Sequence, residues 1–287
     1  MNKYKGFTQT QAARKLQDLS RAPYDLTVAG NLSPLRLSSY VADMAGYRLL
    51  YGMQGLDESG LAALLLVADD TQAVQQFVGM KRGEVINRID GFASENRMVL
   101  HTAVRDVFSD MPCHKEASGQ ACAELAKLKD FLAEIDSGTL CNHTSEIFTD
   151  MVMVGIGGSD LGPRALYLAL KAFAVEGRRV HFISNVDPDD AAAVLKGIDL
   201  NTALVNVVSK SGSTLETLTN EELVRSYFVK AGLDPNKHFV AVTGKGSPMD
   251  NPDRYLRSFY MFDYIGGRYS ATSMVGAVML GFALGYD

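Results

Sequence analysis

The spacing of apolar residues changes its period about halfway along the chain. Up to residue 120, apolar positions recur every three or four residues, most clearly over 12–19, 61–67 and 95–108. This spacing places apolar side chains on one face of a helix. Because no stretch alternates clearly between apolar and polar residues, the pattern predicts a helical N-terminal region over residues 1–120.

Beyond residue 120 the pattern predicts a layered α/β domain over residues 121–287. Gly119 is predicted to be the joint, followed by an amphipathic helix over 121–135. Short β-branched runs predict strands at 151–156, 179–184, 202–209, 238–243 and 258–264. Helical patterns lie between them at 161–175, 188–198 and 214–231. This alternation indicates a flavodoxin-like, five-stranded parallel sheet with helices on both faces.

An uncharged stretch of eighteen residues, 269–286, approaches the length of a membrane-spanning helix. It contains three glycines, it is the single such stretch in the chain, and no basic residue follows it. A buried helix in a globular protein explains these features better than a membrane span. The stretch runs directly into Asp287, whose carboxylate is unfavourable at a helix C-terminus, so we expect an N-terminal portion of a longer chain.

Composition narrows the classes of function. The 287 residues carry 28 Lys and Arg against 33 Asp and Glu, and the net charge of −5 provides no electrostatic footprint for nucleic acid. The polar N-terminal residues lack the apolar core of a secretory signal. Three cysteines in so long a chain argue against a disulfide framework, and we therefore expect a reducing cytoplasm.

Cysteine and histidine side chains cluster between residues 113 and 143, but no pair of them has the spacing of a zinc site. The cluster comprises Cys113, His114, Cys122, Cys141 and His143. We interpret it as a helix–loop–helix with buried thiols, and we expect no metal.

Two further groups of polar residues have a structural interpretation. Asp187, Asp189 and Asp190 could bind a hard cation, but their position favours cap and first-turn acids of the helix that begins near residue 188. His101, four residues before Arg105, is interpreted as a histidine on a helix face.

The chemistry is expected in the loops after the first, third and fifth strands, because ligands of parallel sheets bind outside the carboxyl ends of the strands. The first of these loops reads G-I-G-G-S-D-L-G-P over 155–163. Its glycines let the backbone approach a ligand, and the following helix offers free N–H groups to an anion. The third glycine of a dinucleotide fingerprint would fall on Asp160, and Asp187 lies at a loose spacing for a ribose-binding acid. The loop therefore does not favour NAD binding.

The second loop reads S-K-S-G-S-T-L-E-T over 209–217 and carries the sharpest signal. Hydroxyls beside a lysine and a glycine, at the start of a helix, form an anion site that needs no metal. Ser213 and Glu216 have capping-box spacing, which predicts that the helix starts at Ser213. The Walker pattern is absent, and a hydroxyl-rich cap without a ligand is the alternative.

The third loop reads G-G-R-Y-S over 266–270 and places an arginine after two glycines at the same edge of the sheet. An arginine there is a candidate clamp for an oxyanion. A surface salt bridge is the alternative interpretation of Arg268.

In their order, these three motifs resemble the phosphoglucose isomerase family, and E-N-R-M-V-L-H-T-A-V-R over 95–105 resembles the family's preceding segment. The resemblance implies two sugar-isomerase domains, of which this chain holds the first. It implies interconversion of glucose 6-phosphate and fructose 6-phosphate through a cis-enediolate, with neither metal nor organic cofactor. It also implies a cytoplasmic enzyme that forms homodimers.

The resemblance also assigns roles to residues of the three loops. It implies that Ser209, Ser211 and Thr214 hold the sugar phosphate with the backbone N–H of Lys210. By the same resemblance, the residues that line the sugar site beside the reacting carbons are Gly158, Ser159, Gly267 and Arg268.

The family's catalytic glutamate and ring-opening histidine belong to motifs that do not occur before Asp287. We therefore expect these 287 residues alone to lack isomerase turnover. A sugar-phosphate sensor without catalysis is the alternative function.

Overall fold

The computed structural model describes residues 4–141 and 145–286 and divides the chain into two compact units. The first unit contains residues up to 79 together with 89–93, and the second contains 80–88 and 94–287. His143 and Asp287, which the sequence analysis singled out, lie outside the described residues. Within the described ranges no helix is long and apolar enough to cross a membrane.

The first unit is helical apart from one short hairpin. Its elements are α1 (Gln11–Leu19), α2 (Pro34–Ser39), β1 (Val41–Met44), β2 (Tyr47–Leu50), α3 (Glu58–Asp70) and, as far as Gly79, α4 (Ala73–Lys81). The antiparallel hairpin turns at Ala45 and Gly46, both with positive φ, as tight two-residue hairpins require. The sequence analysis missed these strands because each has only four residues and no clear alternation.

The second unit is built on a five-stranded sheet in which every pairing is parallel. Its strands are β3 (Asp150–Val154), β4 (Arg179–Ile183), β5 (Ala203–Ser209), β6 (Phe239–Thr243) and β7 (Arg257–Tyr260). They lie in the order β4-β3-β5-β6-β7, which is the flavodoxin-type order. The predicted α/β fold class is therefore confirmed.

Helices cover both faces of this sheet. They are α5 (Lys115–Asp136), α6 (Leu161–Leu170), α7 (Pro188–Lys196), α8 (Leu215–Lys230) and α9 (Met274–Leu284). One buried cluster joins α5, α6 and α9 to the sheet, and a second cluster joins α7 and α8 to the opposite face. The central strands β3, β5 and β6 are fully buried, which explains their nearly continuous apolar sequences.

The helix predicted over 95–108 does not form. This segment is irregular apart from a short 3₁₀ turn, Ala103–Arg105. Leu100 is fully buried, and its N–H donates to the carbonyl oxygen of Tyr264 at 3.0 Å, which fixes the segment beside the chain that follows β7. Tertiary contacts therefore override the helical spacing of its apolar residues.

The joint predicted at Gly119 is also wrong, because α5 runs without a break from Lys115 to Asp136. His114 caps this helix, since its Nδ1 accepts a hydrogen bond from the N–H of Ala117 at 3.2 Å. The division of the chain into a helical N-terminal region, 1–120, and a first sugar-isomerase domain, 121–287, stays a prediction.

The uncharged stretch 269–286 forms the buried helix that its composition predicts. Eight of the eleven residues of α9 are buried, among them Phe282 and Met279. A β-carbon at Gly281 would lie 2.7 Å from Cδ1 of Leu132, so this glycine permits the close approach of α5. Ser273 caps the helix, its hydroxyl accepting from the N–H of Val275.

Candidate functional site

The loops after β3, β5 and β7 lie at the carboxyl edge of the sheet, as predicted. Strand β3 is the first strand of the five-stranded sheet in sequence order. The next two strands, β4 and β5, lie on opposite sides of it. The strand order therefore reverses between β3 and β5, where parallel sheets form their ligand-binding crevice. The hydroxyl-rich loop follows β5 directly at this position.

Three hydroxyl oxygens of the loop 209–214 form one cluster. The Oγ of Ser209 lies 2.9 Å from the Oγ1 of Thr214 and 3.5 Å from the Oγ of Ser211. The remaining side, from Ser211 to Thr214, measures 3.4 Å. The sequence analysis predicted that these residues act together, and the fold brings all three together.

The start of α8 differs from the prediction. Thr214, and not Ser213, occupies the cap position, and among the described residues no side chain caps this helix. The Ser213–Glu216 capping box does not form, because the N–H of Ser213 donates to Ser211 at 3.2 Å and the Thr214 hydroxyl contacts Ser209. The first turn of α8 therefore directs uncapped N–H groups toward the loop.

The loop after β6 supports the hydroxyl cluster from behind. Thr243 donates its hydroxyl to the carbonyl oxygen of Ser209 at 2.7 Å and also contacts Ser247. The N–H of Gly244 donates to the carbonyl oxygen of Lys210 at 3.0 Å. Gly212 has a φ of +63°, and a β-carbon there would lie 2.6 Å from the Oγ of Ser247. The sequence analysis missed this support because it expected chemistry only in the loops after the first, third and fifth strands, and β6 is the fourth strand of the sheet.

The first and third loops touch through their glycines. A β-carbon on Gly158 would overlap the carbonyl group of Gly267. Ser270 lies between the loops and donates to the carbonyl oxygens of Gly158 and Gly267, at 3.3 and 2.7 Å. A cleft of about 590 Å³ opens beside this contact and is lined by Gly157, Gly158, Leu161, Gly162, Gly267, Arg268 and Ala271.

Asp160 stands at the N-terminus of α6 but its side chain is used elsewhere. Its carboxylate is buried, does not cap α6, and accepts two hydrogen bonds from Arg164 at 2.7 and 2.9 Å. Arg164 also donates to Ser184, which joins the loop to the end of β4. Ser159 lies in the 3₁₀ turn Gly157–Ser159, with a half-buried side chain.

Arg268 is exposed in the 3₁₀ turn Gly267–Tyr269 at the rim of the cleft. Within the described part of the chain its guanidinium forms no ion pair and no hydrogen bond, so the salt-bridge alternative is not observed. The next residue, Tyr269, stacks on His101 with the ring centroids 4.6 Å apart. Burial and the nearby Arg105 lower the pKa of His101, which favours its neutral form. The sequence analysis placed His101 on a helix and missed this contact.

The side chain of Lys210 extends from its own loop, 209–214 (the hydroxyl loop), toward the 3₁₀ turn Gly267–Tyr269 that carries Arg268 (the arginine turn). Its Nζ donates to the carbonyl oxygens of Asp263 and Ile265, at 3.3 and 3.2 Å. Burial lowers the pKa of the ammonium, as does the positive charge of Arg97. Arg97 itself is paired with Asp263 at 2.7 Å.

The other polar candidates have structural roles or none. Asp187 caps α7 and accepts from the N–H groups of Asp189 and Asp190. All three cysteines are free, and the exposure of Cys113 and Cys122 shows that the expected burial of these thiols is wrong. Across residues 4–141 and 145–286, no group of three His, Cys, Asp or Glu side chains is arranged to hold a metal.

Comparisons with known proteins agree with the motifs. A family model described as phosphoglucose isomerase matches residues 51–287. The glucose-6-phosphate isomerase of Desulfotalea psychrophila is 52% identical over 285 residues, which cover 99% of this chain and 53% of that protein. The enzyme of the same name from Protochlamydia amoebophila is also 52% identical, over 98% of this chain and 51% of that protein.

A solved structure shows the same likeness. The crystal structure of a glucose-6-phosphate isomerase from Chlamydia trachomatis matches with a TM-score of 0.88 at 43% identity, over 98% of this chain and 53% of that one. The chain thus spans about half the length of the curated relatives that it matches.

Proposed function

The chain belongs to the phosphoglucose isomerase family, and from this we propose that its three loops bind a hexose 6-phosphate for aldose–ketose isomerisation. The substrates proposed are glucose 6-phosphate and fructose 6-phosphate, which the names of the relatives specify. One observation carries the proposal: the three-hydroxyl cluster stands before an uncapped helix N-terminus, at the sheet edge that also holds Arg268.

The phosphate group is proposed to bind the hydroxyls of Ser209, Ser211 and Thr214 and the N–H of Lys210. Each hydroxyl can turn its proton toward an anion, and α8 adds the partial positive charge of its N-terminus. Binding at this remote group positions the sugar carbons, so its energy contributes to lowering the barrier of the chemical step.

Arg268 is proposed to stabilise the enediolate. A guanidinium group offers a planar fork of N–H donors to an oxyanion. Among the described residues, no carboxylate pairs with the guanidinium of Arg268. The backbones of Gly158 and Gly267 line the same cleft and leave room for the reacting carbons. Ser159, in the same 3₁₀ turn as Gly158, is proposed to complete the sugar site. Proton transfer between C2 and C1 requires a carboxylate base with a pKa suited to neutral pH.

Within the three motifs, neither carboxylate fits the role of that base. Asp160 is engaged by Arg164, and Glu216 lies exposed in the first turn of α8. We propose that the base belongs to a part of the enzyme outside residues 1–287, and that these residues alone bind substrate without converting it. A complete enzyme is proposed to be cytoplasmic and homodimeric, with a role in glycolysis and gluconeogenesis.

Calorimetric titration of the 287-residue chain with glucose 6-phosphate tests the proposal. The double variant Ser209→Ala with Thr214→Ala removes two donors worth about 1 kcal/mol each, so affinity should fall about thirtyfold. Ser213→Ala is the matched control, because its exposed side chain stands outside the cluster. Unchanged affinity in the double variant would place the phosphate elsewhere.

A coupled assay with the same chain separates catalysis from binding. No conversion of glucose 6-phosphate is expected from residues 1–287. Measurable turnover would show that a base lies within them. Binding of glucose 6-phosphate without turnover, even by a longer protein that contains this chain, would favour the alternative function, a non-catalytic sugar-phosphate sensor.

A further inference from the structure

Lys210 connects two loops, because its backbone is part of the hydroxyl loop and its side chain contacts residues 263 and 265. Its backbone is part of the hydroxyl loop and is fixed by the N–H of Gly244, which donates to its carbonyl oxygen at 3.0 Å. A β-carbon at Gly244 would lie 2.8 Å from that oxygen, so the two loops are in close contact there. The lysine stem thus starts from a fixed point.

The Lys210 ammonium holds the segment that leads into the arginine turn. The carbonyl oxygens of Asp263 and Ile265 lie 3.3 and 3.2 Å from its Nζ, whereas the exposed Asp263 carboxylate is 3.6 Å away. Hydrogen bonds from a charged donor are stronger than neutral ones. Since Ile265 is only three residues before Arg268, the position of this carbonyl limits where the turn can lie.

The segment has a second side-chain attachment, at its start. Arg97 pairs with the Asp263 carboxylate at 2.7 Å and so fixes its start. The turn beyond Ile265 is closed by a local hydrogen bond, from the N–H of Tyr269 to the carbonyl of Gly266 at 3.0 Å. Lys210 therefore provides a side-chain connection between the hydroxyl loop and the segment that leads into this turn.

We infer that Lys210 is a positioning residue that couples occupation of the phosphate loop to the placement of Arg268. This inference rests on the proposed function. An anion that binds Ser209, Ser211 and Thr214 restrains the backbone of Lys210, and the ammonium transmits that restraint to residues 263–265. The arginine turn is then most ordered when a phosphate is bound.

Hydrogen exchange of the 287-residue chain, with and without inorganic phosphate, tests the coupling. In the wild-type chain phosphate should slow exchange over 209–215 and, by about threefold or more, over 264–269. Lys210→Met keeps the backbone N–H but removes the ammonium, so slowing should persist over 209–215 and vanish over 264–269. Lys210→Arg, which restores a charged donor, should regain the second effect.

Lys245→Met is the matched control. Lys245 is exposed on the neighbouring loop after β6, so this change removes the same charge and should leave both effects intact. Slowing over 264–269 in Lys210→Met equal to that of the wild type would overturn the coupling, as would a wild-type response confined to 209–215. A wild-type chain in which phosphate slows neither segment would instead refute the phosphate loop, and the coupling with it.

Discussion

The backbone of Gly267 occupies the space that a side chain on Gly158 would need. A β-carbon built on Gly158 would be 2.9 Å from the α-carbon of Gly267 and would overlap its carbonyl group. Backbone atoms cannot move aside as the end of a flexible side chain can. The two loops that line the cleft therefore keep their separation only while residue 158 is glycine.

Gly158→Ala should destabilise the second unit by about 1–3 kcal/mol, the usual cost of overpacking. Gly266→Ala is the control, because a β-carbon there would meet no atom closer than 3.9 Å. Urea unfolding measures both variants, and Gly266→Ala should stay within about 0.5 kcal/mol of the wild type. Equal stability of Gly158→Ala and the wild type would show that the loops can separate at little cost.

Arg268→Ala, in an isomerase that contains this chain, should lower kcat about a hundredfold or more, the usual effect of losing one donor to an oxyanion. The KM should change little, because the interaction forms mainly in the transition state. Arg268→Lys keeps the charge but loses the planar fork, so it should also be impaired. Steady-state kinetics decide the matter, and a rise in KM alone would make Arg268 a ground-state binding residue.

Asp150, at the edge of the sheet opposite the cleft, should make stability depend on acid pH. Its carboxylate is fully buried and accepts hydrogen bonds from Arg179, His181 and Thr149, at 2.9, 2.7 and 2.8 Å. Burial alone would raise the pKa of Asp150, but these three donors outweigh it and hold the pKa below its usual value.

A carboxyl group with a lowered pKa stabilises the fold above its unfolded pKa, about 3.9, and loses that contribution as pH falls through the folded value. Asp150→Asn should therefore cost about 1–3 kcal/mol at pH 7 and progressively less below about pH 4. The exposed Asp253 provides the control variant, Asp253→Asn. Urea unfolding at a series of pH values measures both, and a cost for Asp150→Asn that did not shrink in acid would contradict the assignment.

Arg36 should be the most sensitive position of the first unit. Only 8% exposed, it donates to the carbonyl oxygens of Gly52, Gln54 and Leu56 at 2.8, 2.9 and 2.6 Å. The ring of Tyr40 lies 4.1 Å from its guanidinium carbon.

Arg36→Ala leaves three carbonyl groups without their donor and should destabilise the first unit by about 2 kcal/mol or more. Arg36→Lys should restore only part of this stability, because a single ammonium cannot reproduce the fork. Arg21, whose side chain is 75% exposed and pairs with the exposed Asp18, supplies the control Arg21→Ala. Hydrogen exchange over 36–56 measures all three, and wild-type protection in Arg36→Ala would contradict this role.

The sequence predicts the sheet of the second unit well because its strands are short β-branched runs separated by strong helical patterns. The five predicted strands all form, and each differs from its prediction by a few residues at most, with β7 ending at Tyr260 rather than at 264. The 95–108 segment was predicted wrongly because the decisive contact, between Leu100 and Tyr264, joins residues far apart in the chain. Local spacing carries no information about such a contact.

The candidate site divides in the same way. Ser209, Ser211 and Thr214 could be found from the sequence because they share one loop, and local geometry brings them together. The bond from Lys210 to Ile265 and the stack of His101 on Tyr269 depend on which loops become neighbours in the fold. Such contacts become visible only once the strand order is known.

Helix α9 limits what a map of tolerated substitutions can reveal. A β-carbon at Gly276 would overlap the carbonyl of Ala271, and one at Gly281 would press on Leu132. Both positions are buried, and α9 contains no charged residue. A complete substitution scan would therefore show these two glycines to be as restricted as residues of the cleft. Intolerance to substitution alone would not distinguish the packing of α9 from the binding of a sugar phosphate.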